Sequence, residues 1–253
     1  MKPKHALDHW ESSKVRGYDV DQTKQISIPA LIRLMHEAAV HQVIQMKLSA
    51  LELEPRGLGW VLYQQYLEVF SRPLMGDTVR IRTYPSGKQR AFTYRDYLLY
   101  DAQSQLLAQA RTCWLLMDIK ERRIASYPPD IEQILLPTND FKCLARPQPI
   151  KVEMDRIDHE QTQQVGYHDL DFNGHLSNTF FFTWMLDALD EDFLRAKELI
   201  SWYVQVKAEC LLNDRVTSQI EKISDHVFGH RLQKNGIVVA LGQSTWQNRD
   251  THQ

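Results

Sequence analysis

Two rhythms of apolar and polar positions run along the chain, and they occur twice in the same order. Ile28, Leu31, Ile32, Met35, Ala39, Val43 and Met46 fall at helical spacing. Ser27 is placed to cap that helix, and Pro29 lies in its first turn, where a missing N–H costs little. Strand-like stretches follow at Trp60 to Phe70, Thr78 to Tyr84, Ala91 to Tyr100 and Leu106 to Asp118. Their breaks are turn-rich (Pro73 to Asp77, Pro85 to Gly87, Asp101 to Ser104), so an antiparallel meander is predicted.

The second half repeats the scheme. Ser177 caps, and Phe181, Trp184, Met185 and Ala188 form an i, i+3, i+4, i+7 stripe. Large apolar residues around one helix predict burial on more than one side. Strands are expected at Ile200 to Cys210, Val216 to Ile223, His226 to Gln233 and Ile237 to Trp246, with Asn235–Gly236 as a hairpin turn between the last two. Ser126 to Pro149 carries five prolines and reads as connecting chain.

The halves also match residue by residue. Tyr66, Leu67 and Val69, then Leu74, Asp77 and Val79, align without a gap on Tyr203, Val204 and Val206, then Leu211, Asp214 and Val216. Leu106 to Trp114 aligns likewise on Val238 to Trp246. Such self-similarity fixes the unit of the fold. The expectation is an α+β tandem of two units, each a long helix wrapped by a curved antiparallel sheet. The first unit is expected over residues 1–135, a linker over 136–149 and the second unit over 150–253.

Composition changes this picture little. With 253 residues, 43% hydrophobic and 25% charged, the chain is ordinary globular material that needs no disulfides. Three cysteines (Cys113, Cys143, Cys210) without a CxxC pair suit a reducing, cytoplasmic setting. The polar N-terminus has no signal-peptide core, and no apolar run approaches the ~20 residues of a membrane span. A net charge of −2 gives no support for nucleic-acid binding.

The chemistry is localised by where the two copies differ. Asp19 to Ser27 lies in the same frame as Asp169 to Ser177. Thr23 stands where Asn173 does, Gln25 where His175 does, and Arg72 where Glu209 does. Only Asp21 matches Asp171. The second copy therefore carries a titratable set that the first lacks. His175 precedes a helix N-terminus, and Gly174 allows close backbone approach. Backbone N–H groups of Gly174 and Leu176 are candidates to stabilise an oxyanion. Glu209 or Asp171 would hold or deprotonate a water, with Asn173 orienting it or the carbonyl.

Cys210 is a candidate nucleophile beside His175. Alternation along a regular strand, however, puts Glu209 towards the site and Cys210 in the core. His36 and His41 stand one residue too far apart for HExxH, and no dinucleotide, Walker A or G-x-S-x-G signature occurs. No cofactor or metal is expected.

The segment Asp169–Leu170–Asp171–Phe172–Asn173–Gly174–His175–Leu176–Ser177–Asn178 resembles the D-L-D-x-N-x-H-x-x-N motif of the acyl-ACP thioesterases of plant plastids and bacteria. Lys207–Ala208–Glu209–Cys210 is similar to that family's R-x-E-C segment. Gly76 to Val79 and Asp21 to Ala39 also fit, so the resemblance covers roughly residues 15–247. Ser177 departs from it, since plant members carry Asn there.

The resemblance implies a tandem (double) hot-dog fold, with the N-terminal unit shaping the acyl pocket. It implies Asp171, Asn173, His175 and Glu209 as catalytic residues and release of free fatty acid from acyl-ACP in fatty acid biosynthesis. The family's cysteine at position 210 has been treated both as nucleophile and as dispensable. An acidic carrier protein would dock on basic residues, for which Lys88, Arg90, Arg95, Lys120, Arg122 and Arg123 are candidates. Alternatives are an acyl-CoA thioesterase, a non-catalytic acyl-binding module and, more remotely, a hot-dog dehydratase. A homodimer stands open beside internal pairing of the two repeats.

Overall fold

A computed structural model describes residues 7–135 and 154–249. The chain divides into two compact units. Among the described residues, the first takes 7–135 except Gln64–Val69, and those six join the second with 154–249.

In the first unit, β1 (His9–Lys14), β3 (Thr78–Gln89), β4 (Phe92–Tyr100) and β5 (Leu106–Asp118) pair in that order, all antiparallel. A two-residue β6 (Arg123–Ile124) folds back on β5. The helix α1 (Ile28–Gln45) packs against this sheet. Ser27 Oγ accepts from Ala30 N–H at 3.3 Å, as its sequence position predicts. Ile28, Leu31, Ile32, Met35, Ala38, Ala39 and Gln42 are buried, one face of a helix read off at 3.6 residues per turn. Beyond α1, Leu53 of the short α2 (Ala50–Leu53) joins Leu48, Leu116 and Ile131 in a satellite core.

In the second unit, β8 (Lys197–Val206), β11 (Ile237–Asn248), β10 (Val227–Lys234), β9 (Arg215–Ser224) and β7 (His159–Gln164) pair in that order, again antiparallel. Residues Gln64–Glu68 of β2 (Leu58–Val69) pair with β8 on its other side. The helix α4 (Asn178–Asp187) buries Phe181, Phe182, Trp184, Met185 and Leu186. It is only ten residues long, so the expectation of a long helix holds for the first copy and not the second. The chain breaks at Ala188–Leu189 and restarts as α5 (Glu191–Ala196), capped by Asp190 Oδ1 on Phe193 N–H at 3.0 Å. Phe193 then packs edge-on to Phe228 and Trp246. Asn235 and Gly236 both adopt positive φ, 51° and 78°, as a tight hairpin demands.

One helix against one antiparallel sheet, twice, is the tandem hot-dog arrangement expected above. Two details differ, and one lies outside what is described. Pro129–Leu135, within the proline-bearing stretch, forms α3; its Ile131 is fully buried and its Asp130 pairs with Arg56 at 2.9 Å. The expected linker at 136–149 lies outside the described residues, as does Cys143. The edge strands β1 and β7 carried no apolar alternation to reveal them, β7 being almost wholly exposed. Among the described residues, no helix is long and apolar enough to cross a membrane.

Candidate active site

Each unit carries the same loop between its edge strand and its helix. In the first, Asp21 N–H donates to Gln25 O at 2.9 Å, Lys24 N–H to Asp21 O at 3.0 Å, and Ile26 N–H to Pro73 O at 2.9 Å. In the second, Asp171 N–H donates to His175 O at 2.7 Å, Gly174 N–H to Asp171 O at 3.0 Å, and Leu176 N–H to Cys210 O at 2.8 Å. Lys24 and Gly174 share the left-handed conformation (φ 62° and 74°) that turns both loops. Glycine adopts it without strain; Lys24 does so at some cost. The backbone is thus one scaffold bearing two sets of side chains.

The first set closes on itself. Arg72 Nη1 donates to Asp21 Oδ2 at 2.5 Å and to Ile26 O at 3.0 Å, while Nη2 reaches Gln25 Oε1 at 2.8 Å. Thr23 hydroxyl donates to Asp21 Oδ1 at 2.5 Å. The Arg72 side chain is only 7% exposed, and Asp21, though 31% exposed, is committed to Arg72 and Thr23. Hydrogen bonds from Thr23 and Arg72, with the Arg72 charge, outweigh burial and hold the Asp21 carboxyl below its ordinary value.

The second set is open. His175 Nε2 stands 3.3 Å from Glu209 Oε2, with side chains 36% and 31% exposed. Asn173 is exposed, and no described residue hydrogen-bonds its side chain. Asp171 has a different task. Its Oδ1 accepts from Asn173 N–H at 2.8 Å and His175 N–H at 3.2 Å, so it braces the turn that presents both residues. The structure therefore brings His175 and Glu209 together, leaves Asn173 beside them on the loop, and sets Asp171 beneath it.

Glu209 reaches this place by an unexpected route. The strand predicted to run to Cys210 ends at Val206, because Lys207 and Ala208 N–H both turn to Val239 O, at 2.8 and 3.2 Å. Glu209 and Cys210 lie on the turn that follows, so strict alternation does not govern them. Lys234 secures that turn, donating to Glu209 O at 3.2 Å and to Asp214 Oδ2 at 2.8 Å. Nothing in the sequence pointed to Lys234, which acts from another strand.

Cys210 faces inwards and is fully buried. Burial pushes its thiol up to about 11, so the thiolate a nucleophile needs is suppressed. The oxyanion role expected of Gly174 and Leu176 is corrected: both amides already donate to backbone carbonyls, of Asp171 and Cys210, and neither has a hydrogen to spare. The open donors are in the next turn. Ser177 stands at the N-cap of α4, but its hydroxyl caps no amide. Phe180 N–H, the counterpart of the Ala30 amide that Ser27 caps, donates to Ser177 O at 2.9 Å instead, and the first-turn N–H groups of Asn178 and Thr179 have no acceptor within the helix.

The basic docking candidates separate as well. Arg90, Lys120, Arg122 and Arg123 are exposed. Lys88 is committed to Glu132 and lies 4.4 Å over the Tyr127 ring. Arg95 is buried and drops out of any surface. His36 packs against Tyr97 and Trp114, and His41 bonds Glu11 at 2.7 Å. Among the described residues, no cluster of His, Cys, Asp and Glu is placed to hold a metal ion.

Comparison with known proteins identifies the family and the fold. The acyl-ACP thioesterase N-terminal domain model matches residues 7–135, and the C-terminal domain model matches residues 152–248. A chloroplastic acyl-acyl-carrier-protein hydrolase of Cuphea viscosissima is 24% identical over 263 residues, covering 95% of this chain and 62% of the relative. The chain spans about half to three-fifths of the length of three Cuphea relatives. Oleoyl-acyl carrier protein thioesterase 1 of Arabidopsis thaliana is also 24% identical, covering 96% of this chain and 77% of the relative.

The fold is shared with the acyl-ACP thioesterase of Bacteroides thetaiotaomicron (TM-score 0.86, 20% identity, 96% of this chain and 99% of that one). It is shared also with the 12:0-ACP thioesterase of Umbellularia californica (TM-score 0.83, 19% identity, 96% and 98%). With both domain models matched in order across nearly its whole length, the chain belongs to the acyl-ACP thioesterase family.

Proposed function

We propose that this protein hydrolyses fatty acyl-ACP thioesters to free fatty acid and holo-ACP, using one site per chain at His175 and Glu209. The observation that carries this reading is the contrast between the two copies of one loop. One is sealed by Arg72, and the other holds an open acid–base pair at a helix N-terminus.

In the proposed sequence, Glu209 takes a proton from a water as the water oxygen attacks the thioester carbonyl carbon. Asn173, its side chain uncommitted, orients that water or the carbonyl. The tetrahedral oxyanion faces first-turn amides of α4, where the helix dipole favours negative charge. Collapse breaks the C–S bond, and the thiolate leaves with the proton held at the His175–Glu209 pair. A positioned acid–base group is worth about 10² to 10⁴ in rate, and one oxyanion donor ~10² to 10³. A thioester is an activated acyl donor, so these suffice without a covalent intermediate at Cys210.

The test is incubation with matched panels of acyl-ACPs and acyl-CoAs, with released fatty acids measured by mass spectrometry. Faster release from ACP at equal chain length is expected. No release from any acyl-ACP, with measurable acyl-ligand binding, would make the chain a binding module instead.

A further inference from the structure

The interior of the first unit contains a cation that no described carboxylate answers. Arg95, on β4, is 8% exposed. Its Nη1 donates to two neutral acceptors, Gln42 Oε1 at 2.5 Å and Thr83 Oγ1 at 3.1 Å. The neighbouring Asp96 projects to the opposite face, where Arg111 takes both its oxygens at 2.6 and 2.7 Å. Burying an ion without a counter-charge is costly in a low-dielectric interior. Desolvation accordingly pulls the guanidinium below its ordinary value.

The fold does not demand this arrangement, because the second unit does without it. Arg95 lies opposite Thr112 on β5, and Phe228 lies opposite Ser244 on β11. Thr112 and Ser244 are equivalent: each accepts, at 2.7 Å, from the indole N–H of a tryptophan two residues on. Phe228 is therefore the counterpart of Arg95. By the same register Ile220, opposite His230, is the counterpart of Thr83, opposite Tyr97. Two buried apolar residues in one copy stand where the other has a cation and a hydroxyl.

The unused part of Arg95 has a definite shape. Its Nη1 hydrogens go to Gln42 and Thr83, which leaves the Nε–Nη2 edge, the edge that grips a planar carboxylate with two parallel bonds. Gln42 is itself fixed, with Nε2 donating to Leu7 O at 2.7 Å, and the Thr83 hydroxyl donates to Asp96 O at 3.0 Å. Tyr97, two residues along and on the same face, is fully buried, with its hydroxyl beside that of Thr112. One monovalent cation matches a monoanion; a dianion would leave a charge uncompensated.

We propose that Arg95, oriented by Gln42 and Thr83, anchors a buried carboxylate-binding site in the first unit, whereas the His175–Glu209 pair belongs to the second. The carboxylate is either a small anion or the head group of a fatty acid. The full chain, purified in chloride without carboxylates, is titrated with sodium acetate, sodium octanoate and octanol at constant ionic strength. Thermal unfolding and calorimetry are the readouts. A saturable rise in Tm with octanoate, absent with octanol, is expected. A matching rise with acetate would identify a small-anion site, and a response to octanoate alone a fatty-acid head group.

Arg95→Met should lose the response, and Arg95→Lys, which keeps the charge but not the fork, should bind at least about tenfold more weakly. Unliganded Arg95→Met should melt no lower than the parent, as Phe228 suggests. Absence of a saturable carboxylate effect on the parent would overturn the proposal. So would an equal effect on Arg95→Met, or a Met variant that melts several degrees lower or fails to fold. Thr83→Val, which removes one orienting bond, provides a second check, and unchanged octanoate binding by it would also count against the site.

Discussion

Asp171 and Asp21 hold the same place in two copies of one loop, and their partners give them different roles. Asp21 is consumed by Arg72 and Thr23, whereas Asp171 accepts from two backbone amides. Asp171→Asn keeps an acceptor oxygen for those amides and should lose less activity than Asp171→Ala; equal losses in kcat would argue for direct chemistry by the carboxylate. His175→Ala and Glu209→Gln should each lower kcat by about 10² to 10⁴ with the fold intact by circular dichroism. Cys210→Ala should keep kcat within a few fold, since its buried thiol stays protonated far above neutral pH. A collapse in kcat comparable to that of His175→Ala would restore the nucleophile reading.

At the level of elements, the duplicated loop bridges to the turn that begins β3 or β9, Gln25 to Leu74 and His175 to Leu211, and each turn is closed by its own aspartate. Leu74 N–H donates to Asp77 Oδ2 at 2.8 Å, and Leu211 N–H to Asp214 Oδ2 at 2.7 Å. Arg72→Ala removes one charged donor from each of Asp21 and Gln25 and should cost about 1–3 kcal/mol in denaturant unfolding, without creating a second active site. The β8–β11 pairing is equally sensitive. A Cβ at Gly242 would stand 2.9 Å from Tyr203 O, a backbone atom that cannot swing aside. Gly242→Ala should therefore destabilise by about 1–3 kcal/mol, read as a lower midpoint at unchanged m-value.

For the molecule as a whole, acid is the expected weakness. His230 is buried between α4 and the sheet. Its Nδ1–H donates to Met185 O at 3.1 Å, so Nε2 accepts from the Ser244 hydroxyl at 2.7 Å and the ring is neutral. Desolvation lowers its pKa from 6.5 to about 3. Between those values the unfolded chain binds a proton that the folded one refuses, so stability rises with pH there. The contribution is complete above about 6.5 and falls by about 1.4 kcal/mol per unit as the pH drops towards 3. Asp19, Asp21 and Asp214, whose carboxyls are held below their ordinary value, add a further loss below about 4. Urea midpoints from pH 7 to pH 4 should fall steadily, and His230→Gln should flatten the upper part of that profile. A midpoint independent of pH above 5 would contradict the assignment.

The sequence by itself determined the duplication, the kind of each main element and the asymmetry of the two loops. These are local properties: a helix or strand writes its own period, and a duplicated unit repeats its own spacing. Thr23, Gln25 and Arg72 against Asn173, His175 and Glu209 could be read without coordinates. The edge strands β1 and β7 could not, because their pairing depends on a neighbour's free backbone rather than on any apolar pattern of their own.

Only the tertiary structure decided which loop is sealed, since Arg72 closes one from another segment. It also placed Glu209 on a turn, because Val239 O takes the two amides that end β8. It committed the amides of Gly174 and Leu176, and it buried Arg95 where its chemical type suggested a surface. Each depends on contacts between residues distant in the chain, which no local pattern records.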